Sequence, residues 1–290
     1  MVKVCQDLFP ATDGYYMDGY EKENLDILID SIENDFDFVI LNSGQGMVRV
    51  GKSIKAMQQG CYINHEVNKK YGLNNTFTHE NFVFRGDDLI KKAKEMPKYS
   101  VIVYDEAGSD LMARKTMHGT TQALLDFFRE CGQLNLFVIC VLPDFFDLPK
   151  GIAITRSICL VDCSFREKFN RGLFKFYGRR AKKMLYLKGR KFLDYDAHPC
   201  DFRGTFTNFY TIDEKAYRNL KYKALTGREA DEKEKVSRKD KRMVAHRGEL
   251  IKMLHEMGVP MTKVAERLHL DHSAVCRIAS KEVSDDGCSL

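Results

Sequence analysis

Apolar residues recur at helical spacing over residues 24–36, with Leu25, Leu28, Ile29 and Ile32 on one face, which predicts an amphipathic helix. Four short, continuous apolar runs read as buried strands: Phe38-Val39-Ile40-Leu41, Phe82-Val83-Phe84, Val101-Ile102-Val103-Tyr104 and residues 136–142 (LFVICVL). A fifth, residues 158–161, follows Arg156. Between the second and third, Asp87-Asp88 cap a helix reaching about Met96, and residues 120–131 carry Leu124, Leu125 and Phe128 on one helical face. Fully apolar strands alternating with helices predict an α/β fold with a parallel sheet covered on both faces.

Past residue 165 the texture changes. Residues 173–177 and 184–187 are strand-like around Gly178-Arg179-Arg180, predicting a hairpin or small antiparallel extension, and residues 213–225 look helical. Residues 226–242 (TGREADEKEKVSRKDKR) hold almost no apolar side chain and read as a linker or solvated helix; periodicity returns at Leu250. There is no internal repeat. The expected organisation is a core over 1–165, a basic β-rich extension over 166–226, a charged linker over 227–245 and an all-α module over 246–282.

The chain has 290 residues, 44% hydrophobic and 30% charged, with six prolines, a composition that can bury a core. No apolar run approaches the roughly 20 residues needed to span a bilayer. The opening residues lack the basic-then-apolar order of a secretory signal. Nine cysteines without a CxxC pair read as the reduced thiols of a cytoplasmic protein, and His198-Pro199-Cys200 has no second ligand pair at zinc spacing. Residues 166–191 hold eleven basic side chains and one acid, so a net charge of +5 conceals a basic block on an acidic body. Such a block suits either a polyanion or a solvated hairpin, and Arg179, Arg180, Lys182 and Lys183 are its candidates for contact with nucleic acid.

The strongest motif is Gly46-Met47-Val48-Arg49-Val50-Gly51-Lys52-Ser53, which satisfies G-x-x-x-x-G-K-[ST] between a predicted strand and a helix starting near Lys52. Its backbone amides can cradle the phosphates of ATP, with Lys52 on the β/γ-phosphates and the Ser53 hydroxyl on Mg2+. Gly46 and Gly51 let the backbone approach closely. Some fifty residues on, Asp105-Glu106 ends a strand: Asp105 can hold Mg2+ through water, and Glu106 can polarise the attacking water.

These strand–GxxxxGKS and strand–DE pairs resemble the additional-strand catalytic-glutamate branch of P-loop ATPases. Asp105-Glu106-Ala107-Gly108, Ala113-Arg114-Lys115, Asn135-Leu136-Phe137-Val138, Phe146-Asp147-Leu148-Pro149-Lys150, Thr155-Arg156-Ser157, Phe202-Arg203-Gly204-Thr205-Phe206 and Asp213-Glu214-Lys215-Ala216-Tyr217 are similar to FtsK/HerA-type DNA-pumping ATPases, above all to the small Zot-like ATPases of phages and archaeal mobile elements. The resemblance covers about residues 19–225. It implies a RecA-like fold whose sensor strand, residues 136–142, lies between the strands of the two motifs. It also implies a ring of subunits that hydrolyse ATP with an arginine given in trans, for which Arg156 is the first candidate and Arg129 the second; Arg114 and Lys115 could touch nucleotide or DNA. Leu142-Pro143-Asp144 stands where many FtsK/HerA proteins place a sensing glutamine.

Residues 261–280 (MTKVAERLHLDHSAVCRIAS) fit a helix-turn-helix. Thr262 caps, Ala265 sits at the helix crossing, Leu268, Leu270, Val275 and Ile278 pack, and His269 takes the turn position where glycine is expected. His272, Ser273, Cys276 and Arg277 then face outward toward DNA; a protein-interaction module is the alternative. Taken together, the expected protein is an ATP-hydrolysing motor on double-stranded DNA, assembled as a homo-oligomeric ring. A helix-turn-helix regulator switched by ATP and a scaffold that binds nucleotide without turnover are the competing classes.

Overall fold

A computed structural model describes residues 2–107, 111, 119–166 and 169–280; Gly108, Ala113, Arg114, Lys115 and residues 281–282 of the expected C-terminal module lie outside the described residues. The chain divides into two compact units, Met1–Ala224 and Leu225–Leu290.

The first unit opens with β1 (Val2–Val4) paired antiparallel to β2 (Tyr15–Met17), a ribbon the apolar pattern did not announce. The main sheet has seven strands: β3 (Phe38–Ser43), β4 (Phe82–Val83), β5 (Val101–Tyr104), β6 (Phe137–Val141), β7 (Cys159–Phe165), β8 (Arg171–Tyr177) and β9 (Phe202–Thr205). Their order is β4-β5-β6-β3-β7-β8-β9. The pairings from β4 to β7 are parallel, and β7-β8-β9 is antiparallel. The protein is therefore mixed α/β around a mainly parallel sheet. β6 lies between β5 and β3, the position the resemblance implies for it.

Alternation along the strands explains why both faces are covered. Phe38, Ile40, Val101, Val103, Phe137 and Ile139 point into a core shared with α1 (Gly19–Ser31) and α2 (Lys52–Tyr71). Val39, Leu41, Ile102, Tyr104, Val138 and Cys140 point into the opposite core, shared with α3 (Gly86–Glu95), α4 (Gly119–Glu130) and α5 (Arg179–Gly189). The α1 helix starts five residues before its apolar stripe, where Asp18 caps it by accepting from Tyr20 N and Glu21 N. That start brings Glu21 into the core, ion-paired to the buried Lys55 of α2, whose ammonium lies 4.2 Å from the Phe174 ring centroid.

The region after residue 165 departs from expectation. Residues 184–187 belong to α5: Ala181, Leu185 and Tyr186 are buried on one helical face, while Met184 and Leu187 only thicken the apolar run. The antiparallel extension exists, but β9 supplies its second strand. Lys182 is likewise corrected as a DNA contact. It is fully buried, and its ammonium donates to Ala153 O at 2.7 Å, Ser157 O at 2.7 Å and Ser157 Oγ at 2.5 Å, which leaves it no face toward phosphate. Burial holds its pKa down at about 8.

The second unit is helical. Residues 226–242, expected as linker or solvated helix, continue α6 (Glu214–Glu256), which is followed by α7 (Met261–Leu268) and α8 (His272–Ser280). Ile251, Val264, Ala265 and Val275 are buried together, with Leu254, Leu268, Leu270 and Ile278 packed on them. His269 takes left-handed geometry at φ 52° and ends α7. Thr262 is no cap: Pro260 holds that position, one residue before the helix, and Asp271 rather than Thr262 supplies a capping carboxylate, for α8.

Lys182→Met should lower stability by about 1–3 kcal/mol, because the buried carbonyls of Ala153 and Ser157 lose their donor. Single alanines at the exposed Arg179, Arg180 and Lys183 should stay within about 0.5 kcal/mol. Chemical denaturation of the four variants checks the contrast.

Candidate functional site

The parallel register decides which loops meet. Asn42 pairs with Val141 and Tyr104 with Cys140, so the segments leaving β3, β5 and β6 emerge side by side at one edge of the sheet. Backbone bonds knit them: Gly46 N donates to Pro143 O at 2.9 Å, and Ala107 N to Val141 O at 3.0 Å. Between them and the start of α6 lies a cleft of about 460 Å³, lined by Gly46, Met47, Val48, Arg49, Gly51, Lys52, Ser53, Asp105 and Glu106 among others. Val50, alone of the eight motif residues, is turned away into the core.

The loop is built from left-handed backbone, with φ of 54° at Gln45, 72° at Gly46, 61° at Arg49 and 98° at Gly51. Glycine is needed at Gly46 for that conformation, since the surrounding space is open. At Gly51 a Cβ would also meet the Phe206 ring at 2.9 Å. Gly51 leads directly into α2, whose first turn carries Lys52 and Ser53. Met47, Val48 and Arg49 are exposed at the rim.

Ser53 Oγ donates to both carboxylate oxygens of Asp105 at 3.2 Å, across 52 residues of sequence. A hydroxyl beside a carboxylate at the mouth of a glycine loop is an oxygen donor set of the kind Mg2+ accepts when phosphates complete its shell; the residues fit the ion. Lys52 donates to Met47 O at 2.6 Å, so its ammonium folds over the loop. Burial lowers its pKa, while Glu106 and Asp105 oppose that shift. Glu106 stands at φ 63°, aiming the carboxylate that follows Asp105 into the cleft.

Several participants were missed by sequence reasoning. Tyr217 and Lys221, one turn apart on α6, both reach Asp105: the buried Tyr217 hydroxyl donates to Oδ2, and Lys221 Nζ lies 3.1 Å from the same oxygen and 2.8 Å from Glu106 Oε1. Arg171, Tyr210 and Arg218 complete the rim. The i, i+4 spacing of Tyr217 and Lys221 was legible, but their partner, more than a hundred residues away, was not.

Asp144, at the position of the expected sensor, is engaged elsewhere: its Oδ1 accepts from Phe146 N at 2.8 Å and Tyr195 OH at 2.9 Å. Behind the loop, Gln45 Nε2 donates at 2.6 Å to Asp162 Oδ2, while Asp162 Oδ1 is buried with no hydrogen-bond partner among the described residues. Desolvation raises the Asp162 carboxyl to about 6.

Arg156, expected as the arginine given to a neighbouring subunit, is half-buried and engaged within its own chain: its guanidinium is ion-paired with Asp37 and donates to Phe128 O and, at 3.1 Å, to Cys131 Sγ, so it braces the N-terminal ends of β3 and β7. Arg129 is exposed, with Asp126 at 2.9 Å. The basic block is divided: Arg171 faces the cleft, Lys175 pairs with Asp196 at 2.8 Å, Lys182 is buried, and Arg179, Arg180, Lys183, Lys188, Arg190 and Lys191 are exposed on α5 and the turn after it. In the second unit His272, Ser273 and Arg277 are exposed and Cys276 is half-buried, its Sγ 3.6 Å from His272 Nε2. Among the described residues no cluster of three or more His, Cys, Asp or Glu could hold a metal ion, no cysteine forms a disulfide, and no helix is long and apolar enough to cross a membrane.

The chain matches no protein-family model and no curated protein. Among solved structures it is similar to the N-terminal domain of zonular occludens toxin from Neisseria meningitidis, at 12% identity over 63% of this chain and 98% of that one, with a TM-score of 0.42. It is also similar to the genome packaging NTPase B204 from Sulfolobus turreted icosahedral virus 2 in complex with ATP-gammaS, at 16% identity over 50% of this chain and 94% of that one, TM-score 0.33.

Asp162 binds its proton more tightly in the fold than in the unfolded chain, so its contribution to stability falls as pH rises from about 4 to 6. Asp162→Asn should therefore gain on the wild type over that interval, by up to about 3 kcal/mol at pH 7.5. Urea unfolding at pH 4.5 and 7.5 reads the difference.

Proposed function

We propose that the protein is a RecA-like P-loop ATPase of the Zot-like kind that couples hydrolysis of MgATP to work on DNA. The observation that carries the reading is Ser53 Oγ at 3.2 Å from both oxygens of Asp105, beneath a left-handed glycine loop at the head of a 20-residue helix. Support comes also from β6 lying between β3 and β5, which puts loop, acids and sensor segment at one edge.

In this reading the amides of residues 46–53 hold the phosphate oxygens, aided by the dipole of α2. Lys52 leaves the Met47 carbonyl to reach the β/γ-phosphates. Ser53 and Asp105 would hold Mg2+, which would supply positive charge against the charge developing on the transferred phosphoryl group. Glu106, next to Asp105 and aimed into the same cleft, orients the attacking water and takes its proton. Tyr217 keeps the Asp105 carboxylate directed at Ser53.

The exposed Arg179, Arg180 and Lys183 would supply salt-dependent phosphate contacts. The second unit would act as a helix-turn-helix, presenting His272, Ser273, Cys276 and Arg277 on α8. Assembly into a ring would place an arginine of one subunit at its neighbour's ATP; Arg129 is exposed, whereas Arg156 would have to leave its Asp37 partner.

Lys52→Ala should abolish turnover and weaken ATP binding. Glu106→Gln should bind ATP as the wild type does while turnover drops by about 10²–10⁴-fold, the usual worth of a positioned general base; normal turnover there removes Glu106 from the mechanism. ATPase rate measured against duplex length separates the classes: a motor gains with length, a regulator responds to one sequence and a scaffold to neither. Replacing Arg179, Arg180 and Lys183 together by alanine should weaken duplex binding across sequences and flatten its dependence on salt.

A further inference from the structure

We infer that Lys221 is a built-in counter-cation of the Asp105–Glu106 pair, and that a divalent cation enters this site by exchange with it. The inference rests on the reading of these acids given above and adds how their metal is admitted.

Two side chains of α6 meet the acids, and they differ in kind. Tyr217 is buried, its ring edge-on to Phe82 at 5.2 Å and tilted against Phe84 at 6.2 Å, so its hydroxyl is a fixed donor to Asp105 Oδ2. Asp213 fixes the helix start beneath it, accepting from Lys215 N at 2.8 Å and Ala216 N at 3.1 Å. Lys221 has no such enclosure. Its side chain is 27% exposed at the mouth of the cleft, on a four-carbon stem that can swing outward without disturbing the helix.

Its ammonium bridges the two carboxylates in the lining of the cleft, 3.1 Å from Asp105 Oδ2 and 2.8 Å from Glu106 Oε1, while Ser53 Oγ donates to the same Asp105. Two adjacent carboxylates repel one another, and a shared cation relieves that repulsion. The same oxygens cannot serve an ammonium and a divalent ion at once without strong repulsion between the cations. Lys221 therefore sets a threshold: the acids are neutralised until a divalent ion, brought with the charge of a triphosphate, displaces the lysine toward solvent. Once displaced, it withdraws its charge from Glu106 as well as from Asp105, so metal entry and loss of the lysine from the water-activating carboxylate become one event.

Mn2+ is the probe, its free concentration read by electron paramagnetic resonance on the full chain, first alone and then with a non-hydrolysable ATP analogue. Without nucleotide, Lys221→Met should lower the half-saturating Mn2+ concentration by about tenfold or more, the scale of one charge-assisted hydrogen bond. Lys221→Arg should stay near the wild type, and adding Asp105→Asn to Lys221→Met should erase the gain. In the wild type, Mn2+ should raise acylation of the Lys221 amine by an N-hydroxysuccinimide ester, read by mass spectrometry, a measurement that needs no variant to fold. Equal or weaker Mn2+ binding by Lys221→Met, or acylation indifferent to Mn2+, overturns the inference. Failure of the analogue to bind at any Mn2+ level would instead count against the ATPase reading, and the metal-only arms would still decide the exchange.

Discussion

In-register parallel pairing of β3 with β6, and of β6 with β5, governs the arrangement of the chemistry. Phe38 faces Phe137 and Val101 faces the same Phe137, so three strands of unequal length run level and release their C-terminal segments together. A one-residue slip would turn every side chain to the opposite face and exchange two tightly packed cores. The loop after Ser43 and the acids after Tyr104 therefore meet because their strands are buried on both faces. The contact between Ser53 and Asp105 is a consequence of the hydrophobic pairing beneath it.

Buried charge is the second theme. Lys55 with Glu21, Lys182 with two carbonyls and a hydroxyl, Arg156 with Asp37 and Asp162 with Gln45 all lie in or beneath the sheet region. Each is costly to desolvate, and the first three are matched by specific partners. Lys55 joins α1 to α2 under the glycine loop, and Arg156 joins the turn before β3 to the end of α4. They constrain elements that hydrophobic contact alone would leave free to slide. Asp162 differs, because one of its oxygens is unmatched among the described residues and its proton affinity rises accordingly. It lies one strand away from the loop it supports through Gln45.

The basic block shows how poorly local charge density maps onto a surface. Eleven basic side chains within 26 residues look like one patch in the sequence. A strand and a helix distribute the described ones to the cleft beside the glycine loop, to the core, to an ion pair and to solvent. The helical period of α5 makes this division: Arg179, Arg180 and Lys183 turn outward, while Lys182 turns toward Ala153 and Ser157.

Much was legible from short-range physics. The apolar runs became β3, β5, β6 and β7 within a few residues, because a strand buried on both faces needs an unbroken apolar stretch. The glycine motif marked its loop, since left-handed backbone favours glycine, and His269 ended α7 as its tolerance of that geometry allows. The ribbon of β1 and β2, the helix α5 and the early start of α1 were not legible, for their stabilising contacts are tertiary. Sequence alone therefore determined where the strands of the parallel sheet run, and it marked the glycine loop and the paired carboxylates that end β5. Only the tertiary structure decided that Lys182 is internal and Arg156 paired with Asp37, that Asp144 serves Tyr195, and that Tyr217 and Lys221 stand over Asp105. The reason is range: periodicity and turn chemistry act over a few residues, whereas a polar or charged group takes whichever partner the fold brings within hydrogen-bonding distance, here more than a hundred residues away.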